Sequence, residues 1–257
     1  RHALEANTTG SQNVAIGRAT LATSQTANDN TAVGFGAGLL VTTGIRNTLI
    51  GSLAGDALTD ADFNVAVGYS ALTADTQGSR SVALGHLTLS SQNFTTATDS
   101  YNIAVGSHAG VSLTTGVENV LIGGKAGDAL TDADGNVAIG RASLTSDTLG
   151  SKSTAIGFQT LQNQNFTTAT DSLNTAVGYQ AGAAVTVGQL NTLVGALAGD
   201  AITSGGNNTA IGYLALSAED GHGENTAVGS QALRVQNAGA SGNNTAVGYN
   251  AGGAVTT

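Results

Sequence analysis

The chain contains no cysteine, proline, methionine or tryptophan, and only 10% of its residues are charged. Without cysteine there can be no disulfide, thiol nucleophile or iron–sulfur cluster. No apolar run approaches the length of about 18 residues that marks a membrane-spanning helix, so we expect no membrane insertion by this segment. A net charge of -9 with only 8 Lys and Arg residues leaves no basic stripe for phosphates, and we expect no nucleic-acid partner.

Glycine, by contrast, is abundant, at 37 of 257 residues, and much of it belongs to the motif Asn-x-Ala-Val-Gly. The motif occurs fourteen times, at spacings of 17 residues apart from two of 21 and a last one of 19. Its glycines are Gly17, Gly34, Gly51, Gly68, Gly85, Gly106, Gly123, Gly140, Gly157, Gly178, Gly195, Gly212, Gly229 and Gly248. We therefore predict that residues 1–257 are a single repeat array. Because the first residue is Arg1, we expect it to be a fragment of a longer fibre.

A longer period lies above the first one. The fourth residue after each motif glycine follows the order Gly, Gly, Leu, Leu, and Leu replaces the motif Ala at Leu49, Leu121 and Leu193. The string NFTTATDS, at residues 93–100 and 165–172, lengthens the coil after each fourth unit. The sequence therefore predicts a 72-residue module of four coils, so that Gly34 and Gly106 are equivalent positions.

Seventeen residues are too few for a helical hairpin or a propeller blade, but they suit one coil of an all-β parallel solenoid with two or three short strands. The β-branched residues on either side of the motif Ala are predicted to face inward, and a second strand is predicted after a bend at the glycine. The motif asparagines are predicted to cap turns and to form a ladder. The structural residues predicted in this way include Asn30, Val33, Gly34, Asn102, Val105, Gly106, Asn174, Val177 and Gly178.

Two acidic strings are candidates for a calcium site. Residues 56–64 carry Asp56, Asp60 and Asp62, and residues 128–136 carry Asp128, Asp132 and Asp134. Carboxylates at this spacing partly match a calcium loop, although the bidentate Glu that ends such a loop is missing. The alternative is that these residues are solvated turn acids.

The NFTTATDS inserts are predicted to project from the coils, because a coil that gains four residues must bulge while its neighbours keep register. Receptor contact, a spacer role and a clasp between chains are the alternatives for them. The candidate adhesion residues are Asn93, Phe94, Thr95, Asp99, Asn165, Phe166, Thr167 and Asp171. Aromatic residues also follow six motif glycines, and half-buried packing, contact between chains and sugar stacking are their alternatives. They are Phe35, Tyr69, Phe158, Tyr179, Tyr213 and Tyr249.

Catalytic motifs give no candidate residues. Gly-x-Ser-x-Gly does not occur, and the four histidines occupy unrelated positions of the repeat. The glycine-rich residues 34–38 lack the following helix that a phosphate cradle requires. We therefore expect neither enzymatic activity nor an organic cofactor.

The motif variants NTAVG, NVAIG and SVALG resemble the head repeats of trimeric autotransporter adhesins of the YadA type, and NTAVGYxAG also resembles repeats in bacteriophage tail fibres. The resemblance implies a left-handed parallel β-roll in a homotrimer that is displayed outside the cell.

Together, these features predict a structural and adhesive fibre segment on a bacterial or virion surface, a rigid rod for host or surface attachment. Its expected partners are further copies of itself and a cell-surface glycan or protein receptor. A self-assembling extracellular filament is one alternative. Another is a solenoid that binds ice or mineral through rows of threonine. The shift of the threonines between positions of successive coils disfavours this alternative. A polysaccharide-cleaving enzyme would need aligned carboxylates, which are not evident.

Overall fold

The strands of this protein are short and parallel, and turns connect them. A computed structural model describes residues 1–237 and 242–256, and these residues include no helix. The expectation of an all-β parallel solenoid with one motif in each coil is thereby confirmed. The chain divides into two units, Arg1–Asp132 and Ala133–Thr257.

In the first unit, seven strands stack into one parallel sheet and two more form a small side sheet. The strands of the main sheet are β1 (Val14–Ile16), β2 (Thr31–Val33), β3 (Thr48–Ile50), β4 (Val65–Val67), β6 (Val82–Leu84), β8 (Ile103–Val105) and β9 (Val120–Ile122), in that order. The side sheet pairs β5 (Gly78–Ser79) with β7 (Thr98–Asp99). Strand β7 lies in the first NFTTATDS insert.

The second unit repeats this arrangement. Its main sheet contains β10 (Val137–Ile139), β12 (Thr154–Ile156), β14 (Thr175–Val177), β15 (Thr192–Val194), β16 (Thr209–Ile211), β17 (Thr226–Val228) and β18 (Thr245–Val247), in that order. Its side sheet pairs β11 (Gly150–Ser151) with β13 (Thr170–Asp171), which lies in the second insert.

Each coil contributes one three-residue strand to the main sheet, and equivalent motif positions stack in register, as in the pairing of Ala32 with Leu49. The prediction of a second strand after the motif glycine is wrong. That segment forms turns, in which residues such as Ala19 and Leu21 adopt left-handed backbone conformations, with φ of 56° and 47°. The chain therefore changes direction there instead of extending.

The predicted inward face of the strand is also wrong. The middle residue of the motif, Ala32 for example, is fully buried, whereas the β-branched residues on either side of it lie on the outer surface and are partly exposed. Val33, Val105 and Val177 all follow this outward placement. Since side chains alternate across a strand, Asn, Ala and Gly of the motif share the inner face, where the narrow coil leaves little volume.

The motif asparagines form the predicted ladder inside the coils. Asn30 is buried, and its Oδ1 accepts the backbone N–H of Asn47 at 2.9 Å. Its Nδ2 donates to the carbonyl of Gly44 at 2.9 Å. The same bond joins Asn102 to the N–H of Asn119, and Asn174 to that of Asn191. These amides satisfy backbone groups that the turns would otherwise bury without partners.

The motif glycines allow adjacent coils to approach closely. Gly34 has φ of +142°, a region that residues with a side chain rarely adopt. A Cβ at this position would lie 2.4 Å from the carbonyl oxygen of Gly51 in the next coil. Gly106 and Gly178 have the same conformation and the same close neighbour one coil on.

The longer Gly, Gly, Leu, Leu order matches the packing of the core. Leu49 is fully buried and fills the space beside two glycines. A Cβ on Gly38 would lie 2.8 Å from Leu49 Cδ1, and a Cβ on Gly55 would lie 2.8 Å from Leu49 Cδ2 and from Leu58 Cδ1. A large side chain at one inner position is therefore accommodated by glycine at another, and the packing stays dense.

Candidate functional site

The outer face of the strands is the most regular surface of each unit. Two side chains per strand point outward, one on each side of the buried motif residue, and nearly all of them are Val, Ile, Leu or Thr. In β4 and β6 the register places Val65 beside Val82, and Val67 beside Leu84. Ile50, Ile103 and Ile211 are 38%, 39% and 38% exposed. The face is therefore uncharged and open to solvent in both units, and it is mostly apolar in the first unit, where only Thr31 and Thr48 interrupt the aliphatic rows.

The aromatic residues that follow the motif glycine border this face. Phe35, Tyr69, Tyr179 and Tyr213 are each about half exposed, and some of them stack on the residue of the next coil. Phe158 stacks on Tyr179 with ring centroids 5.7 Å apart. About half exposure is compatible with each of the three alternatives, half-buried packing, contact between chains and sugar stacking.

Two histidine rings also contact each other in this region. This contact was not expected from the sequence, because the two histidines occupy different positions of the repeat. Tyr69 stacks on His86 with centroids 5.6 Å apart, and the His86 ring contacts the His108 ring edge-on at 5.1 Å. His108 lies one position further along its coil than the other two rings.

The inserts project only in part. Residues 95–97 are exposed, but Phe94 is buried in the first insert and Phe166 in the second. These two rings are therefore not on the adhesive surface predicted for them. Asn93, Thr95 and Asp99 of the first insert are exposed, and Asn165, Thr167 and Asp171 of the second are exposed in the same way.

Buried carboxylates anchor the inserts, and sequence reasoning missed them. Asp75 is fully buried, and its Oδ1 accepts the backbone N–H groups of Gly78 and Phe94, both at 3.0 Å. Its Oδ2 accepts Gln92 Nε2 at 2.6 Å. Desolvation by burial raises the pKa of the Asp75 carboxyl above its ordinary value of 3.8, and its hydrogen bonds oppose that rise.

The same arrangement recurs one module later. Asp147 Oδ1 accepts the N–H groups of Gly150 and Phe166, and its Oδ2 accepts Gln164 Nε2 at 2.5 Å. The signal that could have revealed these acids is positional. In the Gly, Gly, Leu, Leu order of coils, the seventh residue after the motif glycine is acidic in the first Leu coil. In the second Leu coil the same position is Gln.

The acidic strings predicted for calcium lie in turns. Asp60 and Asp56 each accept a hydrogen bond from a threonine hydroxyl, Thr43 and Thr73 respectively, and Asp62 Oδ1 accepts the N–H of Ile45 at 2.7 Å. Among the described residues, these three carboxylates do not form a group whose ligand atoms all lie within 4.8 Å of one another, and the calcium site stays a prediction.

The second acidic string is arranged in a similar way. Asp132 Oδ1 accepts the hydroxyl of Thr115 at 2.6 Å, and Asp128 and Asp134 lie in turns of their own. The equivalent hydrogen bonds from Thr43 and Thr115, one coil before each string, indicate that these acids tie adjacent turns together.

Three potential metal ligands do converge elsewhere. Among residues 1–237 and 242–256, one group of three has all its ligand atoms within 4.8 Å of one another, namely Glu219, Asp220 and His222. Glu219 Oε1 lies 3.1 Å from His222 Nδ1 and also accepts the backbone N–H of His222 at 3.1 Å. Asp75 closes the equivalent turn on Gly78, so this carboxylate takes the same structural role in its coil.

Within the described part of the chain there is no enclosed pocket, and no helix is present that could span a membrane. No protein-family model, curated protein or solved structure matches the chain.

Proposed function

We propose that this chain is a non-enzymatic structural and adhesive segment of an extracellular fibre on a bacterial or virion surface. In this proposal it self-associates as a homotrimer of left-handed coils through the outer face of its strands, and the four-coil module sets the spacing of its inserts. The observation that carries the proposal is the exposed, uncharged double row of β-branched side chains in each unit.

The size of this row supports an interface. Seven strands at roughly 4.8 Å spacing, each about 10 Å long, give an uncharged patch on the order of 300 Å² in each unit, which is mostly apolar in the first unit. Patches of a few hundred Å² on a monomer are often interaction sites. Burying the remaining exposed part of side chains such as Ile50 and Ile211 would add to stability in proportion to the apolar area removed from water.

A second copy of the chain is the partner that best fits this face. The rows repeat at every coil, so a partner must present apolar groups with the same regular rise. Parallel copies around a symmetry axis meet this condition at every coil, because equivalent positions then lie at equal heights. The absence of charge within the rows means that close approach costs little desolvation.

Sedimentation of the isolated chain tests the proposal. We expect the wild type to sediment as a trimer at micromolar concentration, and Ile50→Lys with Ile211→Lys to give a folded monomer. The matched control is Thr96→Lys with Thr168→Lys, which places the same charges on the exposed inserts. A wild type that remains monomeric, or a control that dissociates equally, would contradict self-association through this face.

One observation favours a second candidate function, binding to ice or a mineral lattice. The threonines are aligned in part of the array. Six consecutive strands of the main sheet of the second unit carry threonine at the same register position. They are Thr154, Thr175, Thr192, Thr209, Thr226 and Thr245. Together with the neighbouring Val and Ile row they form an array of roughly 4.8 Å by 7 Å, which suits a crystalline surface.

The two candidates make opposite demands on the same face, since ice binding needs it open. Ice recrystallisation inhibition by a monomeric wild type, lost in Thr192→Lys and retained in Thr96→Lys, would favour the second candidate. No inhibition by a trimeric wild type would favour the fibre.

A further inference from the structure

The first unit carries a column of arginine and aromatic side chains at the position two residues before each of four main-sheet strands. Arg46, Phe63, Arg80 and Tyr101 each lie five residues before a motif glycine, in four successive coils. The backbone N–H of Arg46, Phe63 and Arg80 donates to a carbonyl of the preceding coil at 3.0–3.1 Å. Neighbouring members of this group, the Arg–aromatic strip, are therefore about one coil spacing, roughly 4.8 Å, apart.

The side chains of the strip stack on one another. The Arg46 Cζ lies 5.5 Å from the centroid of the Phe63 ring. The Arg80 Cζ lies 4.8 Å from the Phe63 centroid and 5.8 Å from the Tyr101 centroid, so this guanidinium sits between two rings. Cation–π contacts of this kind cover the faces of the guanidinium groups and restrict their orientation. The Arg46 and Arg80 side chains are 57% and 42% exposed, so solvent still reaches both of them.

Two carboxylates fix the arginines further. Arg80 Nε lies 3.0 Å from Asp99 Oδ2, and Arg46 Nε lies 3.7 Å from Asp29 Oδ2. The Tyr101 hydroxyl donates to Asp99 Oδ2 at 3.3 Å. In both ion pairs the closest contact is made by Nε. A guanidinium carries five N–H donors, so one neighbouring carboxylate does not use all of them.

The backbone conformation indicates that these side chains are not chosen for folding. Arg46, Phe63, Arg80 and Tyr101 have φ of 57°, 59°, 63° and 50°, a left-handed region that bulky residues rarely occupy. Glycine and asparagine are less strained there, and three coils of the second unit place Gly135, Asn207 and Asn243 at this position. Other coils place Gln12, Glu118, Lys152 and Leu173 at this position with the same left-handed φ, so the fold accepts many side chains there and leaves this run of residues available for a surface role.

We propose that the Arg–aromatic strip binds an acidic polysaccharide that lies along the stack of coils, with sugar carboxylates on Arg46 and Arg80. This inference rests on the proposed attachment role and names a receptor class for it. The two arginines are two coils apart, roughly 9.6 Å, which is about the length of a disaccharide in an extended chain. A polymer with a carboxylate on alternate sugars can therefore meet both guanidinium groups.

The mixed charges of the strip favour a polysaccharide over other polyanions. Asp29 and Asp99 lie beside the arginines, and carboxylate oxygens are acceptors that suit sugar hydroxyls. The same carboxylates repel a polymer with densely spaced phosphates, and the chain as a whole has a net charge of -9. Recognition must therefore come from local geometry and not from a general positive field.

The second unit provides a comparison within the same chain. It repeats the NFTTATDS insert, and Lys152 pairs with Asp171 at 2.5 Å as Arg80 pairs with Asp99. Leu173 stands in place of Tyr101, however, and the aromatic stack is absent from this column among the described residues. If the insert alone bound the glycan, both units would bind it; the strip assigns binding to the first unit.

Biolayer interferometry of the full chain against immobilised polygalacturonate tests the proposal, with neutral dextran and dextran sulfate as reference polymers. We expect Arg46→Gln with Arg80→Gln to weaken polygalacturonate binding by at least about tenfold. The control is Arg18→Gln with Arg141→Gln, which removes the same charge from arginines stacked on Phe35 and Phe158. We expect less than about a twofold change from it, because its arginines contact no strip residue.

The variants should fold, because Gln12 occupies the same coil position with φ of 59°, and superimposable thermal melts check this. Unchanged binding in Arg46→Gln with Arg80→Gln, or equal binding to dextran sulfate, would overturn the proposal. Sedimentation of the same samples separates the two hypotheses. A trimer that ignores polygalacturonate contradicts only the glycan inference, and a monomer that binds it contradicts only the proposed self-association.

Discussion

The burial of the middle residue of each strand, with its two neighbours on the outer surface, leads to a quantitative prediction for two adjacent residues of β3. Leu49 is fully buried between Gly38 and Gly55, and Ile50 is 38% exposed. Leu49→Ala should lower the free energy of unfolding by about 4 kcal/mol, in the upper part of the range for buried leucines. The glycine neighbours have no side chains with which to fill the cavity. Ile50→Ala should cost less than about 1 kcal/mol in the monomer, since much of its side chain already contacts water.

A compensating substitution sharpens this test. Leucine occupies the position of Gly55 in other coils with the same backbone conformation, as Leu72 does with φ of 56°. Gly55→Leu alone should destabilise the chain, because its Cβ would lie 2.8 Å from Leu49 Cδ2. In the Leu49→Ala background the contacts with Leu49 are removed and only the one with Leu58 Cδ1 remains. We therefore expect the pair to recover about 1 kcal/mol or more relative to the sum of the single variants.

Urea unfolding followed by circular dichroism gives the global free energy of unfolding, and hydrogen exchange of the β3 amides gives the local one, which matters in a repeat array. The measurement is made at a concentration where the chain is monomeric. A larger loss from Ile50→Ala than from Leu49→Ala, or strictly additive costs in the double variant, would refute the reasoning about the core.

Three further predictions concern the backbone and the buried acids. Gly34→Ala should cost about 2 kcal/mol or more through strain and the clash with the next coil, whereas Gly124→Ala, whose Cβ would meet nothing closer than 3.9 Å, should shift the urea midpoint little. The raised pKa of Asp75 means that its stabilising contribution is present below pH 3.8 and is lost as the pH rises through the folded-state pKa. Unfolding free energies of the wild type relative to Asp75→Asn should therefore fall with rising pH, and a flat difference would contradict this. Asp147→Ala should leave the amide of Phe166 unpartnered, cost about 1–3 kcal/mol and speed proteolysis within residues 167–169, while cleavage of the equivalent first insert stays unchanged.

The sequence was sufficient to predict the coil and its ladder, because both depend on spacing. A motif that returns at a constant interval stacks on itself, and the amide of Asn30 then meets the backbone of Asn47 whatever the rest of the coil does. The inserts were also located correctly along the chain, although their aromatic rings turn inward.

The orientation of the strand could not be predicted from alternation alone. In a three-residue strand the pattern fits either face, and the decision comes from volume, which the fit of Leu49 against Gly38 and Gly55 reveals only in three dimensions. The turns after the motif glycine were missed for a related reason. Leucine and serine at positive φ, as at Leu72 and Ser70, carry no local sequence signal. The Arg–aromatic strip joins residues of different types that only the coil register aligns.

The matched glycines and leucines of the core have a consequence for how such a gene can change in length. Gly38, Gly110 and Gly182 each have a motif leucine of the following coil and a leucine of the preceding one as near neighbours. Loss or gain of one coil through recombination would bring new coils into contact. Two leucines would then compete for one space in the core, or two glycines would leave a cavity. Loss or gain of four coils, the 72 residues that separate Gly38 from Gly110, restores the same glycine and leucine neighbours. If the chain is the fibre segment proposed above, the length of that fibre should therefore change in fixed steps of four coils.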